Sequence, residues 1–166
     1  MNREIKERCL SRKDYLKKDN SNVGYALYVQ DNIRKDDYVR LNTGEIVKVI
    51  GIKENNVNKK AIYYGFYDTD WFDSSAVENF SEKIIDLIEP GDLVRIFVEE
   101  NVDENGTTED TCLYEVTTTQ VKDFYGNKLE EIGIVGEDGP ELIPFANVRG
   151  IVTKEKFASM EYKVKE

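Results

Sequence analysis

Short segments of alternating apolar and polar residues, separated by turns that contain glycine, recur along most of this chain. Residues 38–41 and 45–50 alternate in this way and flank an Asn-Thr-Gly turn at residues 42–44, which predicts a β-hairpin. Residues 120–124 and 129–135 flank a second glycine turn and predict another hairpin. Several short strands at such spacing are typical of a small barrel or sandwich, so we expect a mainly β fold.

The remaining segments complete the predicted secondary structure. Residues 76–88 fit either a helical turn or an extended segment, and residues 99–110 are predicted to form an acidic loop with Asn105-Gly106 near its tip. Mixed charges over residues 3–18 predict a short N-terminal helix or arm, and Thr153 is placed to cap a short C-terminal helix that runs to about Met160. Further strands are predicted at residues 24–29, 60–67, 93–98, 112–116 and 147–152.

Two strand starts resemble each other, Asp-Tyr-Val-Arg-Leu at residues 37–41 and Asp-Leu-Val-Arg-Ile at residues 92–96. In each, an acidic turn residue precedes a strand whose Val is expected to face inward and whose Arg is expected to face outward. We therefore predict a basic helical arm at residues 1–22 and two small SH3-like barrel or sandwich units, at residues 23–88 and 89–166. The sequence leaves open whether these units share one core, and it leaves the oligomeric state open.

Charge is distributed unevenly along the chain. Residues 1–18 carry seven basic and three acidic side chains, a net charge of +4, whereas the whole chain carries −10, so residues 19–166 carry −14. A body of that charge repels phosphate, and we do not expect it to bind nucleic acid. The basic arm is interpreted as a solvated helix, with contact to phosphate or to an acidic partner as the alternative.

Compartment is predicted from what the sequence does not contain. The first 18 residues have no apolar core of a secretory signal, and no apolar run approaches the roughly 20 residues that span a bilayer. Cys9 and Cys112 are too few and too far apart for a disulfide framework. We expect a cytoplasmic protein with reduced thiols and no contact with a membrane.

Histidine is absent from the chain, which removes the commonest general base and metal ligand and every pairing of His with a Ser or Cys nucleophile. Acidic clusters at residues 68–73 and 103–110 are candidate sites for Ca²⁺ or Mg²⁺, but Phe72 and Asn79 stand where EF-hand ligands would be required. Solvated turns explain these acids better. We expect no metal, no cofactor and no enzyme activity, and a metal-dependent hydrolase built on residues 68–73 is the least favoured alternative.

Two groups of residues are predicted to form a binding surface. The first is an aromatic group in and beside a loop, and the alternative is that its side chains fold back and fill the end of a barrel. Its members are Tyr63, Tyr67, Trp71 and Phe72. The second is the acidic group of the predicted loop, Glu99, Glu100, Asp103, Glu104, Glu109 and Asp110.

Three blocks carry a family resemblance: residues 37–46, residues 84–92 with Ile-Ile-Asp-Leu-Ile at their start, and residues 151–164. The last block reads Ile-Val-Thr-Lys-Glu-Lys-Phe-Ala-Ser-Met-Glu-Tyr-Lys-Val. In this order the blocks resemble small uncharacterised proteins encoded by phages and prophages of Gram-positive bacteria. The resemblance implies an intracellular accessory protein of a mobile element, and it supplies no established chemistry.

Two functional hypotheses follow. The favoured one is a phage or prophage accessory protein that binds a host protein, with its acidic residues standing in for phosphate against a basic cleft of a defence or nucleic-acid-handling protein. The alternative is a nucleic-acid-binding β-barrel in which Arg40, Lys48 and Arg95 contact phosphate and exposed aromatic residues stack on bases.

Overall fold

Antiparallel strands account for most of the secondary structure in this computed structural model, and the fold is mainly β as expected. The structure describes residues 9–19, 21–54, 60–64, 71–156 and 161–164. The chain divides into two compact units, which we call unit 1 (residues 1–87) and unit 2 (residues 88–166). No described helix is long and apolar enough to cross a membrane.

Unit 1 contains a five-stranded antiparallel sheet with the strand order β4-β3-β2-β1-β5. Its described elements are α1 (Arg12–Lys18), α2 (Asn22–Asn32), β1 (Tyr38–Leu41), β2 (Ile46–Glu54), β3 (Lys60–Tyr64), β4 (Trp71–Asp73), a 3₁₀ helix (Ser74–Ala76), β5 (Val77–Ser81) and a 3₁₀ helix (Ile84–Leu87).

Unit 2 contains a six-stranded sheet with the strand order β11-β10-β6-β7-β8-β9. Its described elements are β6 (Leu93–Asp103), β7 (Gly106–Thr118), β8 (Glu131–Gly136), β9 (Gly139–Pro144), a 3₁₀ helix (Phe145–Asn147), β10 (Val148–Val152), a 3₁₀ helix (Lys154–Lys156) and β11 (Tyr162–Lys163). Among the described strands, neither sheet closes into a barrel, because each keeps two unpaired edges.

The two units repeat one topology. Strands β6 to β10 pair with one another in the same order as β1 to β5, and a 3₁₀ helix precedes the fifth strand in each unit. The irregularities also match: Glu78 in β5 and Arg149 in β10 are each skipped in the pairing with the first strand. Ile50 in β2 and Thr117 in β7 are each skipped in the pairing with the third strand. The similarity of the two strand starts therefore extends to a whole sheet.

Each first strand begins with the same hydrogen-bonded turn. Asp37 Oδ2 accepts the backbone N–H of Arg34 at 2.8 Å, and Asp92 Oδ2 accepts the backbone N–H of Glu89 at 2.8 Å. Both aspartates are buried, and so are the inward-facing Val39 and Val94, as predicted. The prediction for the following arginine is wrong in unit 1, because Arg40 is 1% exposed and its Nη1 donates to the carbonyl oxygen of Leu87 at 2.9 Å.

The predicted strand at residues 24–29 is wrong, since this segment lies in helix α2. Ser21 begins the helix by accepting the backbone N–H of Gly24 on its hydroxyl oxygen at 3.0 Å, which is the usual role of a serine N-cap. Tyr25, Val29 and Ile33 follow at a spacing of four residues, and all three are buried in the core of unit 1. The apolar residues in this segment thus follow the helical period.

Several other boundaries differ from the prediction. The segment at residues 99–110 is a continuation of β6 and β7 rather than a loop. Residues 120–124 form a turn with a single bridge between Lys122 and Lys128, not a strand. The described part of the predicted C-terminal helix is one 3₁₀ turn, and residues 157–160 lie outside the described residues. The N-terminal arm is helical from Arg12 to Lys18, and its first eight residues lie outside the described residues.

Candidate functional site

The acidic hairpin, which we define as residues 98–110, is the most exposed regular structure of unit 2. It comprises the outer ends of β6 and β7, which pair in register up to Asp103 and Gly106. All thirteen of its residues are exposed. Two apolar side chains are among them, with Val98 54% and Val102 73% exposed. The hairpin therefore presents both of its faces to solvent.

Six acidic and no basic side chains lie in the acidic hairpin. Glu99 stands directly opposite Asp110, and Glu100 stands directly opposite Glu109. Like charges at directly opposed positions of two antiparallel strands destabilise the pairing. Successive residues alternate between faces, so one opposed acidic pair lies on each face of the ribbon. Both faces consequently carry negative charge.

Arg149 fixes the base of the acidic hairpin. Its guanidinium binds both carboxylate oxygens of Glu109, with Nε 2.8 Å from Oε1 and Nη2 3.3 Å from Oε2. The same group lies 5.1 Å from the ring centroid of Phe97 and donates from Nη1 to the carbonyl oxygen of Ala146 at 2.7 Å. Two-point binding of a carboxylate by arginine fixes direction as well as distance. Glu109 is therefore a structural residue of the base.

The tip of the acidic hairpin is a two-residue turn at Glu104 and Asn105. The Asp103 carboxylate accepts the backbone N–H of Asn105 at 2.8 Å, and Gly106 has a φ of +118°. Such a φ strongly favours glycine, so Gly106 begins β7 directly after the turn. Among the described residues, Glu99, Glu100 and Asp110 have no cationic partner, and the same holds for Glu104 at the tip.

Negative charge is concentrated in unit 2. Unit 1 contains 15 basic and 15 acidic residues, whereas unit 2 contains 8 basic and 18 acidic residues, a net charge of −10. The acidic hairpin contributes −6 of that charge. A locally concentrated charge produces a field that attracts a partner of opposite sign more strongly than a uniform charge does. The six predicted acidic residues are thus brought together, with Glu109 held by Arg149.

The predicted aromatic group is not assembled as a single exposed patch. Trp71 is 60% exposed on β4, where its Cα pairs with that of Tyr63 on β3. Phe72 is 6% exposed and belongs to the core of unit 1, which corrects its placement in a loop. Because side chains of a strand alternate between faces, neighbouring Trp71 and Phe72 cannot both face solvent. Tyr67 lies outside the described residues.

The basic residues of the alternative hypothesis are mostly engaged inside the protein. Arg40 is buried, so it is not available to contact phosphate. Arg95 binds the carboxylate of Glu161, with Nε 3.0 Å from Oε2 and Nη2 3.0 Å from Oε1. These hydrogen bonds lower the pKa of Glu161 and raise that of Arg95. Lys48 is exposed and lies 5.5 Å from the ring centroid of Tyr38.

Sequence reasoning missed the role of Arg149 and the exposure of two aromatic residues. Arg149 binds a residue 40 positions away, and nothing local in the sequence indicates that pairing. Phe124 and Tyr125 are 97% and 85% exposed at the turn between β7 and β8. Two aromatic residues directly before a Gly-Asn turn are a local signal that could have indicated an exposed pair.

No group of three or more Cys, Asp or Glu side chains within the described ranges is arranged to hold a metal ion. Asp68 and Asp70, members of one predicted cluster, lie outside those ranges.

Comparison with protein-family models, curated proteins and solved structures finds no match to this chain.

Proposed function

We propose that this chain is a non-catalytic binding protein whose acidic hairpin binds a basic cleft of a partner protein. The observation that carries the proposal is a strand register that sets Glu99 directly opposite Asp110 and Glu100 directly opposite Glu109 on an exposed ribbon. Arg149 already compensates Glu109, but no described cation compensates the Glu99–Asp110 pair. That pair costs folding free energy, and a cationic partner surface would offset the cost. The absence of histidine from the whole sequence supports a role without catalysis.

The charge density of the acidic hairpin supports a partner that normally binds nucleic acid. The ribbon from Val98 to Asp103 spans about 17 Å at a strand rise of about 3.3 Å per residue. It carries six negative charges over that length, whereas double-stranded DNA carries about ten over the same distance. Because Glu109 is already paired with Arg149, five charges are left for a partner, and a basic cleft built for DNA would meet about half of its usual charge complement.

Pre-organisation supports the same proposal. Arg149 and Phe97 hold the base of the ribbon, and the Glu104-Asn105 turn closes its tip. A binding element that is already ordered loses less conformational entropy when it meets its partner. The two exposed valines, Val98 and Val102, add apolar area between the carboxylates.

The cellular setting is proposed from the sequence. The resemblance of residues 37–46, 84–92 and 151–164 to phage and prophage proteins supports an accessory protein in the bacterial cytoplasm that inhibits a host defence or nucleic-acid-handling protein. The order of five strands with a 3₁₀ helix before the fifth supports an SH3-like assignment for each unit. Such small β units host many functions, so this assignment does not by itself choose a partner.

The test is a triple substitution that removes three of the six negative charges of the acidic hairpin. It leaves Glu109, which Arg149 binds, and Asp103 and Glu104 near the tip unchanged. Tagged E99Q/E100Q/D110N protein and the wild type are expressed in a Gram-positive host, and co-purifying proteins are identified at low and moderate salt. We expect a basic host protein to co-purify with the wild type. When that protein is purified, its affinity for the wild type should fall as the salt concentration rises. The triple variant should bind it about tenfold more weakly, since three exposed ion pairs are lost.

The matched control is E137Q/D138N/E141Q, which removes three exposed acids of the β8–β9 hairpin and changes the net charge equally. It should bind the partner within a factor of about two of the wild type. Equal weakening by both variants would attribute binding to net charge and would contradict a hairpin site. Undiminished binding by E99Q/E100Q/D110N would also reject the proposal.

A further inference from the structure

The turn between β7 and β8 presents two aromatic rings on an ordered frame. We call residues 122–128 the aromatic turn. Phe124 and Tyr125 are 97% and 85% exposed, with ring centroids 5.7 Å apart and ring planes at 81°. Of the large apolar side chains that the structure describes, Phe124 is the most exposed. Exposing two adjacent rings to water is unfavourable, and the structure offers no internal packing that would explain it.

Hydrogen bonds order the backbone of the aromatic turn. Asp123 Oδ1 accepts the backbone N–H groups of Tyr125 at 2.8 Å and of Asn127 at 2.9 Å. The backbone N–H of Asp123 donates to the carbonyl oxygen of Asn127 at 2.9 Å, and Gly126 takes a φ of +84°. The pKa of Asp123 is lowered by the hydrogen bonds that its carboxylate accepts, of which the bond from the backbone N–H of Asn127 has the largest effect. Its charge is therefore directed into the turn.

Two lysines stand at the base of the rings. Lys122 and Lys128 form an antiparallel bridge, so their exposed side chains leave the same side of the turn. Each of these lysines carries one positive charge, which attracts an anionic ligand. The aromatic turn thus combines ring faces with a site of positive charge.

We propose that the aromatic turn binds single-stranded nucleic acid, with Phe124 and Tyr125 stacking on bases and Lys122 and Lys128 contacting phosphate. Base stacking on an isolated exposed ring needs no surrounding apolar surface. An aromatic residue that anchors a protein–protein interface is usually surrounded by other contacts that exclude water. The other residues of the turn are polar or glycine, which favours a strand of bases over a protein surface.

The acidic hairpin does not prevent this binding. It occupies the first end of β7, and the aromatic turn follows the other end. The hairpin includes residues 106–110 of β7, so the eight residues 111–118 lie between it and the loop that carries the aromatic turn. They span about 26 Å, which is about three times the Debye length of about 8 Å at physiological salt. The proposal is therefore independent of the proposed function, and either can fail alone.

Fluorescence anisotropy of a labelled oligothymidylate of about twelve nucleotides, titrated with the full chain from about 0.1 M salt upward, where the Debye length is about 10 Å or less, tests the proposal. We expect saturable binding that F124L/Y125L weakens at least tenfold, because leucine keeps the apolar volume and lacks a ring face. The logarithm of the wild-type binding constant should fall with the logarithm of salt at a slope near −1.4, about −0.7 for each of two phosphate contacts. K122Q/K128Q should bring that slope close to zero.

The matched control is K35Q/K53Q, which removes two exposed lysines of unit 1 and should leave affinity and slope unchanged. Circular dichroism of each variant confirms that the fold is retained. No binding of the wild type at about 0.1 M salt would overturn the proposal. Equal binding by F124L/Y125L would also overturn it, because stacking would then contribute nothing.

Discussion

Unit 1 and unit 2 share a strand order, matching bulges and the same turn into the first strand, yet they differ in one hairpin and in charge. The first two strands of unit 1 are joined by residues 42–45, four residues, whereas the equivalent segment in unit 2 is residues 97–112, sixteen residues. Unit 1 has no net charge and unit 2 carries −10. A hairpin can lengthen beyond the end of a sheet without disturbing the core, which is why exposed extensions are common places for binding function.

The units also cover the outer edge of the fifth strand differently. In unit 2, β10 pairs with the short strand β11. In unit 1, Arg12 of α1 donates from Nη2 to the carbonyl oxygens of Ser75 at 2.7 Å and Val77 at 2.8 Å. Its Nε is buried without a hydrogen bond, although it lies 3.1 Å from a carboxylate oxygen of Glu78. An arginine from a helix thus satisfies backbone groups at an edge that would otherwise be open to pairing with another chain.

The largest effects should come from equivalent core positions. Phe80 pairs with Val39 in unit 1, Ile151 pairs with Val94 in unit 2, and all four are buried. We expect F80A to lower the free energy of unfolding by about 3–5 kcal/mol and I151A by about 2–5 kcal/mol. Urea denaturation, followed through NMR signals from each unit, measures both changes in the free energy of unfolding. Separate shifts of two transitions would indicate two cores, whereas one transition moved by both variants would indicate a single cooperative core.

Replacing the edge arginine should have the next largest effect. R12M keeps the length of the side chain but removes the donors to Ser75 and Val77, and we expect a loss of about 2 kcal/mol from the stability of unit 1. Hydrogen exchange of β5 amides, compared with that of β10 amides as an internal control, is the measurement. Unchanged exchange in β5 would mean that α1 is not required to cover this edge.

A smaller effect is expected at the turns into the first strands. Asp36 has a φ of +73° and the equivalent Gly91 has a φ of +96°. Because a side chain is disfavoured in this region, G91A should destabilise unit 2 by about 1 kcal/mol, and D36G should change unit 1 by less than that in the stabilising direction. Thermal unfolding of the G91A and D36G variants measures both predicted changes in stability. Equal destabilisation by G91A and D36G would contradict the equivalence of the two turns.

The smallest effect concerns pH. The hydrogen bonds from Arg95 lower the pKa of Glu161 below its ordinary value of 4.5 in the folded protein. The interaction therefore stabilises unit 2 above the unfolded-state pKa, and the stabilisation is lost as the pH falls through the lower folded-state pKa. E161Q should flatten the acid limb of a stability-against-pH curve for unit 2. An unaltered acid limb would show that other carboxyl groups control it.

Local patterns predicted some parts of this structure and failed in others for identifiable reasons. The Asn42-Thr43-Gly44 turn and the hairpin around it were predictable, since alternation and turn chemistry act over a few residues. Helix α2 was predicted as a strand although Tyr25, Val29 and Ile33 follow a helical period. The acidic hairpin was predicted as a loop because polar strands that face solvent on both sides lack the apolar alternation by which strands are detected.

The sequence by itself determined that this protein is acidic, mainly β, without histidine, and carries six carboxylates in one short segment. Only the tertiary structure decided that Phe72 and Arg40 are buried, that Arg149 holds Glu109, and that Phe124 and Tyr125 stand in solvent. The physical reason is the distance along the chain over which each effect acts. Composition and turn preferences are properties of neighbouring residues, whereas burial and ion pairing depend on which distant segments the sheet brings together.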